Sequence, residues 1–158
     1  MINSARLTER YAIHDDNLSI RRDFIRLGEA EREILSKHVN WAKSVAEEIA
    51  REFYDWQFAF EPTRRFNEGI AKRRGLSMET LRSKLEQTQA TYFLEIFTGA
   101  AQDWNEEYFE RRLRIGAAHD RIDLPFKWFI GSYAEYSRLV KEKTRRDFEL
   151  EEAIAISD

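Results

Sequence analysis

The scarcity of helix-breaking residues is the strongest constraint on what this chain can fold into. Only two prolines and six glycines are spread over 158 residues, and the stretches between them favour helices. No segment shows the convincing alternation of apolar and polar residues that indicates a half-buried strand. The sequence therefore predicts an all-α fold, and its length suits one domain with a sizeable core.

The composition excludes several kinds of site and partner. The chain contains no cysteine, which removes disulfides, thiolate metal sites and cysteine nucleophiles. Its 26 Lys and Arg against 29 Asp and Glu give a net charge of -3, so no excess of positive charge predicts a nucleic-acid partner. No stretch approaches the roughly 18 consecutive apolar residues of a membrane span, and no signal peptide is evident. We expect a soluble, cytoplasmic protein that binds neither nucleic acid nor membrane.

A few stops divide the first half of the chain into predicted helices. An amphipathic segment over residues 18–27 ends at a glycine, and residues 29–58 favour a helix with a bend near His38. Proline interrupts a helix wherever its missing N–H is needed. Pro62 is therefore predicted to end this helix, and residues 61–75 to form a basic connection rather than a long element.

Caps mark the helices of the second half. Ser77 is suited to cap a helix whose apolar stripe ends before Gly99, and Asn105 is suited to cap a helix that runs to His119. Because proline fits the first turn of a helix, Pro125 is predicted to begin a long aromatic helix.

His119 differs from the other two histidines in its surroundings. His14 lies in a polar segment and His38 in a region predicted to be exposed, so both are interpreted as ordinary structural residues. His119 follows the small-residue stretch IGAA (115–118) and precedes an aromatic cluster (126–133). A bulky flat molecule could approach such a thin helix closely, but a packed core histidine is an equally good interpretation of these residues alone.

The sequence offers no set of side chains that would hold a metal ion by themselves. It has no HExxH, no pair of histidines at helical spacing and no cysteine. Phosphate-cradling loops and nucleophile elbows are equally absent. A single imidazole in an all-helical domain with 13% aromatic residues suits a haem, whose porphyrin supplies the other four nitrogens.

The pattern around His119 resembles a known family. RIGxxH, followed by RI, a proline, a tryptophan, an aromatic residue and IG, is similar to the globin-coupled sensors, and AREFYDWQ supplies the aromatic pair Phe53-Tyr54 that these proteins carry late in a long helix. The resemblance implies a globin-like helical sandwich around one haem b, with an extra N-terminal helix. It implies that His119 is the proximal iron ligand and that Tyr54 donates a hydrogen bond to bound gas on the distal side.

A later helix adds to the resemblance. The family carries a leucine and a threonine three residues apart, ahead of a phenylalanine and a glycine, and here Leu85 and Thr88 precede IFTG (96–99). The resemblance implies that Thr88 is a second hydrogen-bond donor and that Leu85 keeps the distal side apolar. The alternatives are a Thr88 hydroxyl bonded back to its own helix and a core Tyr54 with its hydroxyl at the surface.

Several apolar side chains are expected to contact the porphyrin: Phe53, Phe66, Phe97, Ile115, Trp128 and Phe129. Aromatic stripes at helical spacing are more often plain core, so this expectation concerns the set rather than each member. Four basic residues, Arg64, Arg65, Lys72 and Arg73, could meet the haem propionates, although a solvated surface is their more common role.

The resemblance extends from about Leu18 to the C terminus, with residues 1–17 expected to form an N-terminal tail. Asp123 stands where the family commonly has a glycine. The family's last helix continues well beyond Ile156, so residues 141–158 are expected to be only its start, apparently truncated before an output domain. In the family the last two helices build a dimer interface.

The predicted function is a sensor domain rather than an enzyme. We expect ferrous haem b to bind dioxygen, with carbon monoxide and nitric oxide as alternative ligands. A homodimer would pass the ligand state to a C-terminal output domain, for which a diguanylate cyclase is favoured over a histidine kinase or a chemotaxis transducer. The alternative, from another class, is a cofactor-free helical dimerisation or interaction module in which His119 is structural.

Overall fold

Helices account for nearly all of the described chain. The computed structural model describes residues 6–157, and the regular structure in this range is entirely α-helical. In chain order the helices are α1 (Leu7–Arg10), α2 (Asp15–Phe24), α3 (Glu29–Lys37), α4 (Val39–Ala59), α5 (Glu61–Arg74), α6 (Met78–Ala100), α7 (Glu106–Arg121), α8 (Phe126–Asp147) and α9 (Leu150–Ser157). The predicted all-α class is confirmed. The segment expected to be a tail contains α1 and the start of α2, and residues 1–5 lie outside the described range.

Local sequence signals explain several helix boundaries. The chain turns at His38 between α3 and α4, at the predicted bend. The Ser77 hydroxyl accepts a hydrogen bond from the backbone N–H of Thr80, and the Asn105 side chain accepts one from the N–H of Tyr108. Both predicted N-caps are therefore confirmed, and each satisfies a backbone donor that has no partner within the helix.

The prediction of a basic connection after Pro62 is wrong, because this segment forms α5. Proline lies in the first turn of the helix, where its missing N–H costs nothing. Glu61 begins α5 and Lys72–Arg74 end it, so charges of both signs complement the helix dipole. Gly75 then closes the helix with a φ of 63°, a left-handed conformation that suits glycine. Pro62 therefore starts a helix as well as ending one.

The hydrophobic core lies where α4 and α6 pack together, and this is the most extensive contact between helices. α3 packs on α6, and α8 packs on α4 and α9. The buried members of the cluster are Ala42, Val45, Ala46, Ile49, Phe53, Phe93, Phe97, Leu139 and Ile156. Val45, Ile49 and Phe53 follow one face of α4 into this core, whereas Trp56, one turn further along, is 38% exposed.

A buried ion-pair network joins α8 to α4. The Lys143 side chain is only 4% exposed, and its Nζ lies 2.8 Å from Glu52 and 3.1 Å from Glu48. Burial alone would lower the pKa of Lys143, but its hydrogen bonds to Glu52 and Glu48 outweigh that effect and raise it. Trp41 adds a hydrogen bond of 2.9 Å to Asp147. These contacts fix the C-terminal half of α8, which precedes α9.

The corner between α7 and α8 explains why a glycine suits position 123. Asp123 has a φ of 53°, and the Leu124 N–H donates to the His119 carbonyl at 3.2 Å. A hydrogen bond from an N–H to the carbonyl five residues earlier is part of the Schellman motif, in which a left-handed residue ends a helix. Aspartate is one of the residues that tolerate this conformation better than most. Asp123 therefore supplies the left-handed residue of this corner without being a glycine.

Gly99 is required by the close approach of α6 to the start of α7. A Cβ at this position would lie 2.7 Å from Cδ2 of Tyr108 and 2.9 Å from Cδ1 of Trp104, and neither ring is the mobile end of a flexible chain. We expect Gly99→Ala to lower the free energy of unfolding by about 1–3 kcal/mol, because overpacking outweighs the better helix propensity of alanine. Urea denaturation followed by circular dichroism measures this change.

Gly131 provides a matched control for that measurement. It also lies inside a helix, but a Cβ there would meet nothing within 4 Å. Gly131→Ala should therefore raise the free energy of unfolding by about 0.5–1 kcal/mol. Equal effects of the two substitutions would show that Gly99 is not sterically required.

Candidate functional site

A cavity of about 300 Å³ lies among α4, α5, α6, α7 and α8. Small-molecule sites in proteins typically occupy roughly 300–1,000 Å³ and are mostly apolar. All but one of the predicted site residues line this cavity: Phe53, Tyr54, Phe66, Leu85, Thr88, Ile115, His119, Trp128 and Phe129. Residues that are distant in sequence therefore face one space.

Phe97 is the exception, and its expected contact with a cofactor is not supported. It is 2% exposed and belongs to the core, where its ring meets Trp41 and Phe93 at centroid distances of 5.8 and 5.1 Å. The reason is helical periodicity: Leu85 and Thr88 lie on the face of α6 that lines the cavity, whereas Phe93 and Phe97 lie on the face that packs against α4.

His119 combines the properties that an axial ligand needs. Its ring is partly buried against Phe129, with centroids 5.3 Å apart, and lines the cavity. Burial lowers the pKa of the imidazole, which favours the neutral form with a free lone pair. Nδ1 is buried and has no hydrogen-bond partner among the described residues.

Small residues of α7 leave space beside the imidazole. Gly116 lines the cavity one turn before His119, and a Cβ at Gly116 would meet no atom within 4 Å. No side chain fills this position, and the backbone of α7 is therefore accessible from the cavity. A largely apolar cavity with one unpartnered imidazole and an open helix face fits a haem.

Tyr54 places a hydroxyl group at the α4 wall of the same cavity. Burial raises the pKa of this hydroxyl well above its ordinary value, and the nearby carboxylate of Glu86 raises it further. The phenol therefore stays protonated and can donate a hydrogen bond. Phe53 and Phe58 pack edge-to-face against the Tyr54 ring, at centroid distances of 5.3 and 6.1 Å.

The Thr88 hydroxyl bonds back to its own helix, which is the alternative considered from the sequence. Its hydroxyl donates to the backbone carbonyl of Lys84 at 2.8 Å, a common local bond for threonine inside a helix. The side chain also lines the cavity beside Leu85. To donate to a ligand, Thr88 would have to give up this bond, whereas Tyr54 would not.

Several cavity residues were not predicted, and two groups of them are informative. Thr63, Asn67 and Ile70 line the cavity together with Phe66, and their spacing of three, four and seven residues is that of one helix face. This spacing would have identified one helix face if residues 61–74 had been predicted as a helix. Tyr133 and Tyr136 of α8 also line the cavity, and burial raises the pKa of Tyr133 to about 12.

Arg112 is the charged group in the cavity wall. Its guanidinium lies 3.9 Å from the ring centroid of Tyr92 and 4.6 Å from that of Tyr108. It donates to the Tyr92 carbonyl at 3.0 Å and lies 3.7 Å from Glu95. These contacts, together with the Arg111–Glu95 pair at 3.0 Å, hold α7 to α6 by charge and stacking.

The N-terminal segment holds the other side of α7. The fully buried Thr8 donates its backbone N–H to Glu110 at 2.9 Å and its hydroxyl to Glu106 at 2.9 Å. Arg6 pairs with Glu106 and with Glu107, at 3.3 and 3.2 Å. This N-terminal clamp, formed by residues 6–8 on α7, fixes the helix that carries His119.

The other two histidines lie outside the cavity lining. His14 precedes α2 without a side-chain cap. His38 was predicted to be exposed, but its side chain is only 14% exposed: Nδ1 lies 2.6 Å from the Ile34 carbonyl and Nε2 lies 3.0 Å from Glu152 of α9. His38 is therefore still interpreted as a structural residue. The prediction that it is exposed is wrong, because α9 covers its side chain.

The described part of the chain contains no group of three or more His, Asp or Glu residues that could hold a metal ion. Over the same range, no helix combines the length and the apolar character needed to cross a membrane.

Comparison with known proteins gives two matches. The Protoglobin family matches residues 14–157 of this chain. The chain is also 24% identical over 135 residues to the "Heme-based aerotactic transducer HemAT" of Halobacterium salinarum (strain ATCC 700922 / JCM 11081 / NRC-1), an alignment that covers 85% of this chain and 25% of HemAT. The aligned region is thus about a quarter of the length of that relative.

The N-terminal clamp predicts a pH-dependent contribution to stability. The backbone N–H of Thr8 lowers the pKa of the Glu110 carboxyl, with Arg114 at 2.8 Å adding to the effect and burial opposing it. A carboxyl whose pKa is lower when folded stabilises the protein above its unfolded pKa, roughly 4.3, and this contribution is lost as pH falls through the folded value. We expect Glu110→Gln to lower the melting temperature at pH 7, and the difference from wild type to shrink below pH 4.

Glu107→Gln serves as the control, because Glu107 belongs to the same clamp but its side chain is 58% exposed. This substitution should leave the melting temperature nearly unchanged at each pH. A Glu110→Gln effect that does not vary with pH would contradict an ionised, hydrogen-bonded carboxylate at this position.

Proposed function

Because this chain belongs to the protoglobin family, we propose that it is a haem-based oxygen sensor domain that holds haem b in the cavity among α4 to α8. The similarity to globin-coupled sensors stated from the sequence is confirmed, and so is the globin-like all-α fold. The observation that supports the proposal best is that His119 and Tyr54 line one largely apolar cavity. The relative HemAT is named as a heme-based aerotactic transducer.

His119 is the residue we assign to the iron. If haem is bound, its iron would supply the centre that binds a diatomic gas, and the His119 imidazole would hold that iron. The role of the chain is to present His119 as a neutral base, to keep Gly116 free of a side chain, and to hold α7 in place through the N-terminal clamp and the Arg111 and Arg112 contacts.

Tyr54 is the residue we assign to the gas ligand. The protonated phenol of Tyr54 would donate a hydrogen bond to the gas ligand, and this bond would favour dioxygen over carbon monoxide. A hydrogen bond to a charged acceptor contributes about 1.5–3 kcal/mol, which corresponds to roughly a ten- to hundredfold change in affinity. Thr88 is the second donor in this proposal, and Leu85 limits water near the ligand.

The remaining apolar wall would contact the porphyrin. Phe53, Phe66, Ile115, Trp128 and Phe129 surround the cavity and exclude water from it. Exclusion of water strengthens every hydrogen bond made inside the cavity. It also disfavours loss of an apolar cofactor to solvent.

We assign dimerisation and the connection to an output domain to α8 and α9. Apolar side chains of α8 are exposed, including Phe126 at 74% and Ile130 at 50%, and an exposed apolar face of this kind commonly marks an interface. We propose a cytoplasmic homodimer through the last two helices, leading to an output domain. A diguanylate cyclase is our first choice and a chemotaxis transducer is the second; HemAT is named an aerotactic transducer.

The first experiment tests haem binding through His119. Purified wild-type protein should be red and show a Soret band that shifts on addition of carbon monoxide. His119→Ala should lose stable haem, because nothing replaces the iron ligand. Free imidazole in the buffer should restore the band, since the space left by the side chain can admit it.

A colourless wild-type protein that cannot be reconstituted with haem would instead favour the cofactor-free helical module. Retention of haem by His119→Ala without imidazole would assign the axial ligand to another residue.

The second experiment tests the distal assignment. Tyr54→Phe should retain haem but release oxygen about ten- to hundredfold faster, because one hydrogen bond to the ligand is lost. Carbon monoxide release should change little. Stopped-flow absorbance measures both rates, and Tyr11→Phe, at a tyrosine that is 55% exposed and does not line the cavity, is the control. Unchanged oxygen release in Tyr54→Phe would reject the assignment.

A further inference from the structure

A second cavity of about 310 Å³ lies between the C-terminal ends of α5 and α7. It is lined by Ile70, Arg73, Arg74, Ala118, Arg121 and Ile122. Ile70 and Ile122 also line the main cavity, so the two cavities adjoin. Three of its six lining residues are arginines and the other three are apolar, and we call it the arginine cavity.

The three arginines of this cavity differ from the other arginines of the same two helices. On α5, Arg64 and Arg65 pair with Glu68 and Glu61 at 2.6 and 2.5 Å. On α7, Arg111, Arg112 and Arg114 each pair with a glutamate. Among residues 6–157, no ion pair is formed by Arg73, Arg74 or Arg121. Three neighbouring positive charges without a counter-ion repel one another in a chain whose net charge is -3.

Local contacts hold two of these side chains along their own helices. Nη1 of Arg73 lies 3.4 Å from where a Cβ of Gly69 would be, so Gly69 leaves room for the guanidinium to lie over α5. Nε of Arg121 donates to the Ala117 carbonyl at 3.3 Å. The Arg121 contact uses one N–H, and a guanidinium has five.

The helix dipoles explain only part of this arrangement. Basic residues near helix C-termini are favourable, by about 0.3–1 kcal/mol each, which accounts for their tolerance at the ends of α5 and α7. The dipole does not require that the two helices bring three arginines without ion pairs around one cavity that adjoins the main one. A bound anion would account for that arrangement.

We propose that the arginine cavity binds an oxyanion, a carboxylate or a phosphate, through bidentate hydrogen bonds from Arg73, Arg74 and Arg121. The adjoining position favours the propionate carboxylates of a haem in the main cavity, and this source rests on the proposed function. Free phosphate has the same recognition chemistry and is the second source. Arg64 and Arg65, which the sequence analysis also considered for propionates, are already paired and are not part of this site.

The first arm of the experiment removes the charge from the cofactor. Wild-type protein, the double variant Arg74→Gln/Arg121→Gln and the control Arg65→Gln are each loaded with iron protoporphyrin IX or with its dimethyl ester. Transfer to excess apomyoglobin then measures dissociation. If propionates are the source, the acid form leaves the double variant about ten- to hundredfold faster than wild type. The ester leaves both at the same rate, and Arg65→Gln behaves as wild type.

The second arm tests free phosphate. Isothermal titration calorimetry with inorganic phosphate is performed on the same three proteins, with and without iron protoporphyrin IX. If free phosphate is the source, it binds the wild type in both states and does not bind the double variant. If propionates are the source, phosphate binds only the haem-free wild type, because the carboxylates occupy the arginines in the loaded protein. Arg74→Lys/Arg121→Lys should recover only part of the binding, since lysine keeps the charge but not the bidentate geometry.

Two results would overturn the proposal. One is identical dissociation of the acid form from wild type and double variant together with no phosphate binding to any of the proteins. The other is an equal loss in Arg65→Gln, which would indicate a general charge effect. Failure of the wild type to bind either porphyrin would reject the proposed function instead, and the phosphate arm would still decide whether the arginine cavity is an oxyanion site.

Discussion

The position of α7 depends on a buried carboxylate and a few charged contacts rather than on an extensive apolar interface. Glu110 accepts the backbone N–H of Thr8 from the N-terminal segment, and Arg111 and Arg112 reach Glu95 on α6. The helix that presents His119 is therefore held at both sides by polar groups with defined directions. This arrangement leaves the face of α7 that carries Gly116 open to the cavity. A helix packed tightly through that face would have no room for a cofactor.

The same helices build both the core and the cavity wall. α4 and α6 use one face for the core and another for the cavity, so one pair of helices supplies both stability and the distal wall. α8 lines the cavity and is tied to α4 through the buried Lys143 network. A change in the cavity wall could therefore reach α9 through a helix fixed by ion pairs. Such coupling needs two packings of these helices that differ in ligand affinity.

Local signals predicted the caps at Ser77 and Asn105, because a side-chain oxygen that satisfies a helix N–H is a short-range interaction. The same local reasoning failed at α5, where Pro62 was interpreted only as a breaker, although proline is equally at home in a first turn. Local reasoning also placed Phe97 at the cofactor, whereas its side chain lies in the core. A stripe at helical spacing identifies a buried face but does not say whether a core or a cavity covers it, and α6 has both.

The sequence by itself determined the helical class, several helix ends and the short list of polar residues able to hold a cofactor, since periodicity, caps and residue chemistry are encoded locally. Only the tertiary structure decided which of those residues share a space. It brought Tyr54 and His119 to one cavity, left Phe97 in the core and placed three unpaired arginines beside the site. Such meetings depend on how helices pack across long sequence separations, and no local pattern carries that information.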